Sequence, residues 1–342
     1  MLKSHSAGIG DLLRGSAAWR CLKDAFPAAN LHLWFLSSDP GSASETLIGR
    51  HHLLAGFHVS DKTKRPGRWR RLRDDATRIA AETRPDLIID FEPNGLRTSL
   101  LTWHAARFNR ATTVGIAENP LRRFFYDRVS PSRAAYGKQH GLSLPLEYTE
   151  RDFVVLAALG LKRGNISIEL QETEEARRFR GSLLQELGKD AQRPILGLNI
   201  GCATQGALDR RVNLEMIARL IRTLQERRGM TLVLCGAPYE RPVNEDFLRR
   251  FPPVGPFYDF SGRSNLLELS GLVAACRLFV TSDSGPYHMA VGLGVPTLAL
   301  FNFNHPVAYH RQPGVECVVA PNSASTQAAV EAAERLLQLP TK

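Results

Sequence analysis

The sequence has little cysteine, and its cysteines do not pair. Five occur among 342 residues, at Cys21, Cys202, Cys235, Cys276 and Cys317. They form no CxxC pair, and the histidines show neither an HxxxH nor a His/Asp metal spacing. Several of the cysteines lie in apolar strand or helix patterns, which is typical of small buried side chains in a reducing compartment. We therefore predict neither a disulfide nor a bound metal.

Long apolar runs are also missing. No run approaches the length that spans a membrane, and the N-terminal residues Met-Leu-Lys-Ser-His-Ser lack the apolar region of a signal peptide. No internal repeat or low-complexity tract occurs. We therefore predict a cytoplasmic protein, for which a peripheral contact with a membrane remains open.

Acidic residues are outnumbered by basic ones. Lys and Arg total 44 and Asp and Glu 34, which gives a formal net charge of +10 and a pI near 9.7. Such a balance indicates an anionic partner, which is a nucleic acid, a phosphorylated lipid or a membrane surface. No helix-turn-helix, zinc-finger spacing or RNP-like strand is recognisable, and the basic residues do not form one stripe on one helix. We therefore predict no nucleic-acid partner.

The length and the alternation of apolar segments predict two α/β domains. A chain of 342 residues is long enough for two domains of ordinary size. Short apolar strands such as Leu31–Leu36, Leu87–Phe91 and Thr231–Gly236 alternate with helical patterns, and this βαβ rhythm is typical of parallel sheets. A polar segment near residue 170 marks the domain boundary.

The chain is organised around residues 278–301. Leu278–Thr281 and Pro296–Phe301 read as two strands, and the segment between them reads as a helix. The start of that helix is therefore predicted at the carboxyl end of a parallel strand. Free N–H groups and the helix dipole both favour an anion there, so we predict a phosphate site.

The residues of the turn itself fit this interpretation. Ser282 or Ser284 can cap the helix, Gly285 lets the backbone turn tightly, and Pro286 fits the first helical position. The alternative is a tight strand-to-helix turn in an unrelated α/β protein.

A second strand-to-helix turn lies near the N-terminus. Gly8 and Gly10 precede an amphipathic helix, and Asp11 stands at its start. Asp11 is either a helix cap or, because a carboxylate on a glycine-flanked loop is free to meet a hydroxyl, a general base.

These two turns together resemble a known family. Residues 282–286 read Ser-Asp-Ser-Gly-Pro, followed by His288 and by Gly-Val-Pro at residues 294–296. This pattern resembles the donor-site signature of the glycosyltransferases that include the lipopolysaccharide heptosyltransferases, which is family nine with the GT-B fold. Gly-Ile-Gly-Asp-Leu-Leu around Asp11 is similar to the N-terminal motif of that family, whose Asp is the proposed catalytic base. The first strand is shorter and more polar than in the family, so either it is frayed or the chain starts upstream.

The resemblance implies two Rossmann-like domains that face a central cleft. We expect an acceptor domain over residues 1–170, a donor domain over 171–322, and a C-terminal helix within 323–342 that packs back on the first domain. The implied activity is metal-independent, inverting transfer of a sugar, with ADP-heptose as the donor and the lipopolysaccharide inner core as the anionic acceptor. The nucleotide sugar is a co-substrate, and no cofactor is implied.

The donor residues follow from the matching motifs. Asp283 would orient sugar hydroxyls or tie down its loop, and His288 would donate to the donor or pack as a core side chain. Glu240 would accept from the ribose or stabilise the start of a helix. Arg210 would neutralise the leaving diphosphate and is, with Asp11, a predicted catalytic residue. The predicted donor-binding residues are Thr204, Arg211, Glu240, Ser282, Asp283, Ser284, Gly285 and His288.

The prediction of an acceptor-binding surface rests on the arginine residues in the first half of the chain. The run Lys62–Arg73 is rich in basic residues and has Trp69 at its centre. It is either a solvated face or a docking surface for lipid headgroups and acceptor phosphates. The predicted acceptor-binding residues are Gly10, Arg14, Arg68, Arg70, Arg71, Arg97, Arg122 and Arg123.

Three other functions fit the same sequence. One is a glycosyltransferase of the same family with a different donor or acceptor. A sugar-nucleotide epimerase on this architecture would turn over without an acceptor. A non-catalytic protein that binds phosphorylated glycans would show no product at all.

Overall fold

The computed structural model describes residues 1–4, 8–201 and 212–340. The chain divides into two compact units, Met1–Ile168 and Glu169–Lys342. Each unit is an α/β domain in which helices cover a parallel sheet, which confirms the predicted fold class. The boundary lies two residues before the one predicted from composition. Within the described part of the chain, no helix is long and apolar enough to cross a membrane.

The described residues of the first unit form a six-stranded sheet. Its strands are β1 (Leu2–Lys3), β2 (His32–Ser37), β3 (Gly56–Asp61), β4 (Leu87–Asp90), β5 (Thr112–Ile116) and β6 (Arg128–Ser130). Its helices are α1 (Ile9–Leu13), α2 (Gly15–Ala25), α3 (Ala43–Gly49), α4 (Arg68–Thr83), α5 (Arg97–Asn109), α6 (Arg133–Gln139) and α7 (Glu150–Leu156). A 3₁₀ turn over Pro120–Phe125 links β5 to β6.

The second unit repeats this architecture. Its strands are β7 (Ile195–Asn199), β8 (Thr231–Cys235), β9 (Phe257–Asp259), β10 (Leu278–Ser282), β11 (Thr297–Phe301) and β12 (Val315–Val319). Its helices are α8 (Glu174–Leu187), α9 (Leu214–Arg228), α10 (Arg241–Arg250), α11 (Leu266–Ala274), α12 (Gly285–Leu293) and α13 (Thr326–Leu337).

The two sheets have the same strand order, and this order locates the functional edges. The first runs β3-β2-β1-β4-β5-β6, and the second runs β12-β11-β10-β7-β8-β9. Counted within its own unit, each is the 3-2-1-4-5-6 order of dinucleotide-binding domains, in which the direction of strand succession reverses between the first and fourth strands. Ligands bind at the carboxyl ends of the strands beside this reversal. We therefore expect ligand sites at the carboxyl ends of β1 and β4, and of β7 and β10.

The central strands are apolar because both of their faces are covered. Every residue of β7, β8, β10 and β11 is buried. In a parallel sheet with helices on both faces, such continuous apolar runs replace the alternation of half-buried strands. This gives the second unit a rigid support for the turns that follow its strands.

The C-terminal helix belongs to the second unit. Ala329, Val330, Ala333 and Leu336 of α13 are buried in the same core cluster as α9 and the strands β10 and β11. The sequence predicts that this helix packs back on the first domain, and the structure corrects that prediction. The amphipathic stripe of α13 is accounted for by the sheet of its own unit.

Candidate functional site

The turn between β10 and α12 lies where the sequence predicts it, at the carboxyl end of a buried strand. Ser284 is the N-cap residue and has an extended backbone, with φ −143° and ψ 174°. Its side chain makes no capping hydrogen bond to the helix amides. Gly285 is the first helical residue, and Pro286 is the second rather than the first. The start of α12 therefore presents backbone N–H groups and the positive end of its dipole at the carboxyl edge of the sheet.

Hydrogen bonds fix this turn to the neighbouring strand. The Ser284 hydroxyl donates to Asn199 Oδ1 at 3.1 Å and lies 3.1 Å from the Thr281 hydroxyl. The Ser282 hydroxyl donates to the carbonyl oxygen of Gly201 at 3.1 Å. Ser282 and Ser284 thus hold the ends of β7 and β10 together at the strand reversal. Asn199 was not predicted from sequence, although its place at the end of an apolar strand could have identified it.

Glu240 lies at the same edge. It is buried, and its carboxylate accepts from the Ala237 N–H at 2.7 Å. A Cβ atom on Gly201 would lie 1.6 Å from Glu240 Oε1, so only glycine leaves room for this side chain. Gly236, at the end of β8, is in similar contact, with a Cβ position 3.0 Å from Oε2. The carboxylate therefore lies between the ends of β7 and β8, where a ribose would be recognised in a domain of this type.

The side chains of His288 and Asp283 differ in their surroundings. His288 is buried, and its Nδ1 lies 2.8 Å from Nε2 of His310. Tyr287 packs beside both rings and accepts a hydrogen bond from the His310 N–H. His288 therefore belongs to a packed cluster behind the turn. Asp283 is half-buried and within electrostatic range of Tyr309.

Three predicted donor residues lie outside the described residues. They are Thr204, Arg210 and Arg211. Their roles in holding and neutralising a diphosphate stay predictions. Among the described ranges, no group of three or more His, Cys, Asp or Glu side chains could hold a metal ion.

Asp11 lies just beyond β1 at the carboxyl edge of the first sheet. It is half-buried and is the third residue of α1, whose N-cap is Gly8, so Asp11 is not the cap of this helix. Asp11 opposes the lowering of the Arg151 pKa that burial causes, which puts the Asp11 carboxylate within electrostatic range of that guanidinium.

Three further polar residues meet at this edge, and each follows a strand. Lys62, directly after β3, donates to the hydroxyl of Ser4, directly after β1, at 3.3 Å. Burial and the charge of Asp90 raise the pKa of Glu92, two residues after β4, to about 7, while Lys62 opposes this rise. The sequence did not single out Ser4 and Glu92. Their positions within two residues of a strand end are the signal that could have found them.

The predicted acceptor arginines are exposed, half-buried or buried. Arg68 and Arg97, at the starts of α4 and α5, are half-buried, and both lie by the Trp69 ring, at 6.0 and 5.7 Å from its centroid. Arg70 is exposed on α4, where it pairs with Asp74. The remaining exposed residues of the set are Arg71 on α4 and Arg123 on the 3₁₀ turn.

Arg122 and Arg14 are buried, which corrects their assignment to an acceptor surface. The Arg122 guanidinium donates to Asp90 at 3.0 Å and to Ser99 at 2.8 Å, and neither side chain of the Arg122–Asp90 pair is exposed. Arg14 donates to the Thr149 hydroxyl at 3.1 Å. Gly10 is likewise buried, in α1. The side chains of Arg122 and Arg14 hold segments of the first unit together, because a buried charge must be paired.

Known proteins resemble the chain in sequence and in fold. Residues 84–332, more than half of the chain, match the model of "Glycosyltransferase family 9 (heptosyltransferase)". The lipooligosaccharide heptosyltransferase 2 of Haemophilus influenzae is 31% identical over 81 residues, which are 23% of this chain and 23% of that protein. The alignment thus spans about a quarter of this curated relative.

Two solved structures share the fold over nearly the whole chain. The glycosyl transferase of family 9 from Veillonella parvula has a TM-score of 0.77 at 21% identity and covers 98% of this chain and 96% of its own. The ADP-heptose lps heptosyltransferase II of E. coli has a TM-score of 0.68 at 17% identity and covers 98% of both chains. Together with the family match and the two turns described above, these similarities establish that the chain belongs to glycosyltransferase family 9.

Proposed function

We propose that the protein is an inverting glycosyltransferase that moves a sugar from a nucleotide diphosphate to an anionic glycolipid. The observation that carries this proposal is the β10–α12 turn. A hydrogen bond from Ser284 to Asn199 fixes the start of α12 to the end of β7, at the strand reversal of the second sheet. This rigid helix start suits a diphosphate, because backbone N–H groups stabilise negative charge without reorganisation.

The donor would be held at three points of the second unit. The diphosphate lies against the start of α12, and the ribose hydroxyls donate to the Glu240 carboxylate at the end of β8. Asp283, one residue before the N-cap, orients the sugar. Thr204 would donate a hydrogen bond to the diphosphate, and Arg210 and Arg211 would neutralise it as it leaves, so that fixed donors and charges take the part of a metal ion.

The acceptor would be activated by the first unit. Asp11 removes the proton of the acceptor hydroxyl as that oxygen attacks the anomeric carbon, the bond from this carbon to the diphosphate breaks, and the configuration inverts. Arg68 and Arg97 bind anionic groups of the acceptor. Lys62 and Glu92 lie at the same edge and give it both a donor and an acceptor of hydrogen bonds.

The relatives support one choice of substrates. The E. coli structure is named for ADP-heptose and lps, and the Haemophilus relative for lipooligosaccharide. We propose ADP-heptose as the donor and the lipopolysaccharide inner core as the acceptor. A thermal-shift screen of ADP-, GDP- and UDP-sugars tests the donor, because a ligand that binds only the folded state raises its Tm. We expect ADP-sugars, but neither GDP- nor UDP-sugars, to raise the Tm. A selective rise in Tm with a UDP-sugar would contradict the assignment.

The substitution Asp11→Asn separates the transferase from its two rivals. It keeps the shape of the side chain but removes the base, so we expect transfer to fall by about 10²–10⁴-fold with donor affinity unchanged. Asp24→Asn on α2, an exposed residue paired with Arg20, is the matched control. Both quantities can be measured by product formation and by calorimetric titration with ADP.

Three outcomes would decide against the proposal. Turnover of the nucleotide sugar without an acceptor would indicate the epimerase. Donor binding with no product in either form would indicate a binding protein. Full transfer by the Asp11→Asn variant would exclude Asp11 as the base.

A further inference from the structure

The first unit exposes an apolar strip along α5. Leu100, Trp103 and Arg107 follow one another at spacings of three and four residues, which places them on one face of the helix. Trp103 is 41% exposed and Leu100 38% exposed. The opposite face of α5, with Leu101 and Ala105, is buried in the core. The helix therefore carries apolar side chains on both faces, whereas a surface helix usually turns polar residues outward.

The 3₁₀ turn extends this strip. The Phe125 ring packs edge-on against Trp103, with 6.4 Å between the ring centroids, so the turn lies beside the helix. Leu121 and Phe124 on the turn are 56% and 77% exposed. We refer to Leu100, Trp103, Arg107, Leu121, Arg123 and Phe124 as the α5 surface.

Arginine accompanies the apolar side chains. The Arg107 guanidinium lies 4.5 Å from the centroid of the Trp103 ring, and Arg123 is exposed next to Phe124. Arg97, one turn before Leu100, lies near the Trp69 ring. Exposed aromatic rings with cationic neighbours suit the boundary of a bilayer, where rings enter the headgroup region and guanidinium groups meet lipid phosphates.

We propose that the α5 surface docks the protein on an anionic lipid bilayer. Two observations favour a bilayer over a second protein chain. The Phe124 and Trp103 rings are exposed on a turn and on the helix beside it, and the charged residues of the α5 surface are both arginines, in a chain of net charge +10. This combination of cationic and aromatic side chains matches anionic headgroups above an apolar interior.

The placement of the surface gives it a use in the proposed reaction. The helices α4 and α5 begin at the carboxyl edge of the first sheet, directly after β3 and β4, and α1 with Asp11 begins at the same edge after β1. A bilayer held along α5 therefore lies next to the edge where Asp11 and Arg97 would receive a lipid-linked acceptor. This use rests on the proposed function, whereas docking itself does not.

Vesicle binding tests the proposal. The full chain is sedimented with vesicles of phosphatidylcholine, with and without phosphatidylglycerol, as the wild type, as the double variant Trp103→Ser with Phe124→Ser, and as Arg107→Glu. The control for charge is Arg222→Glu on the exposed face of α9 in the second unit, and the control for the rings is Phe257→Ser, whose side chain is 46% exposed. We expect binding to require phosphatidylglycerol, to weaken with salt, and to fall about tenfold or more in the two α5-surface variants only.

The outcomes distinguish docking from catalysis. Transfer to a deacylated, water-soluble acceptor should be unchanged in the double variant, because neither ring belongs to the proposed site. Vesicle binding without any transfer activity would leave docking standing and reject the proposed function. Wild-type binding that is absent, or that both α5-surface variants retain in full, would overturn the docking proposal. Loss of a dimer on Trp103→Ser with Phe124→Ser would overturn it in favour of a second copy of the chain.

Discussion

At the scale of single residues, neighbours in sequence place Ser284 at the start of α12, whereas a partner far along the chain holds Arg122. The motif around Ser284 and Gly285 lies where it was predicted, at the carboxyl end of a buried strand, because the turn is encoded by neighbours in sequence. The burial of Arg122 was not predictable in the same way. Its partner Asp90 lies 32 residues away, and only the pairing of β4 with β5 and the 3₁₀ turn bring the two together.

Glu92 supplies a prediction about pH at this scale. Its carboxyl group has a pKa of about 7 in the folded chain, against an ordinary value of 4.5, because burial and Asp90 outweigh Lys62, Arg122 and Lys3. The folded state therefore holds this proton when the unfolded state has lost it. Protonated Glu92 contributes fully to the free energy of unfolding below about pH 4.5. This contribution is lost as the pH rises to about 7 and does not return above that.

The variant Glu92→Gln removes this dependence. We expect it to exceed the wild type in free energy of unfolding at pH 8 by about 2 kcal/mol, after allowance for the partial exposure of the group, and to lose that advantage at pH 4. Chemical denaturation at the two pH values measures the difference, with Glu82→Gln on α4 as the exposed control. An equal effect of Glu92→Gln at both values would show that this group does not titrate in the assumed range.

At the scale of elements, buried strands were predictable and edge strands were not. The apolar runs 231–236 and 278–281 were predicted as strands, and each prediction differs from the observed strand by one residue. β3, with the sequence Gly-Phe-His-Val-Ser-Asp, is a half-buried edge strand and was not predicted. Its side chains lack a run or a clear alternation because only one neighbour, β2, covers it. Glu240 was predicted as a donor residue, but its position between the ends of β7 and β8 depends on the pairing of these two strands, which local sequence does not encode.

The close approach of β7 to Glu240 leads to a second prediction. A methyl group in Gly201→Ala would occupy the position of the Glu240 carboxylate, so this carboxylate must move away from the ends of β7 and β8. We expect ADP affinity to fall by about 10- to 100-fold, the usual loss for a hydrogen bond to a charged group. Gly181→Ala on α8, where an added Cβ meets nothing within 4 Å, is the control. Unchanged affinity for ADP in titration calorimetry of Gly201→Ala would remove Glu240 from the donor site.

At the scale of the whole molecule, two units of the same topology carry different sets of polar and charged side chains. The second sheet carries the serine turn, the buried Glu240 and the strand reversal that suit a nucleotide, while the first carries Asp11, the exposed arginines and the α5 surface. This division was predictable because each unit repeats the βαβ rhythm and because basic residues concentrate before the boundary. The packing of α13 was not, since an amphipathic stripe indicates that a helix is covered without indicating by which domain.

The central claim is that the first turn of α12 holds the diphosphate of the donor. A crystal structure with ADP tests this directly. We expect phosphate oxygens at about 3 Å from backbone N–H groups at the start of α12, beside Ser284, with the ribose near Glu240. A diphosphate bound at the carboxyl edge of the first sheet, with the start of α12 making no contact to it, would contradict the claim.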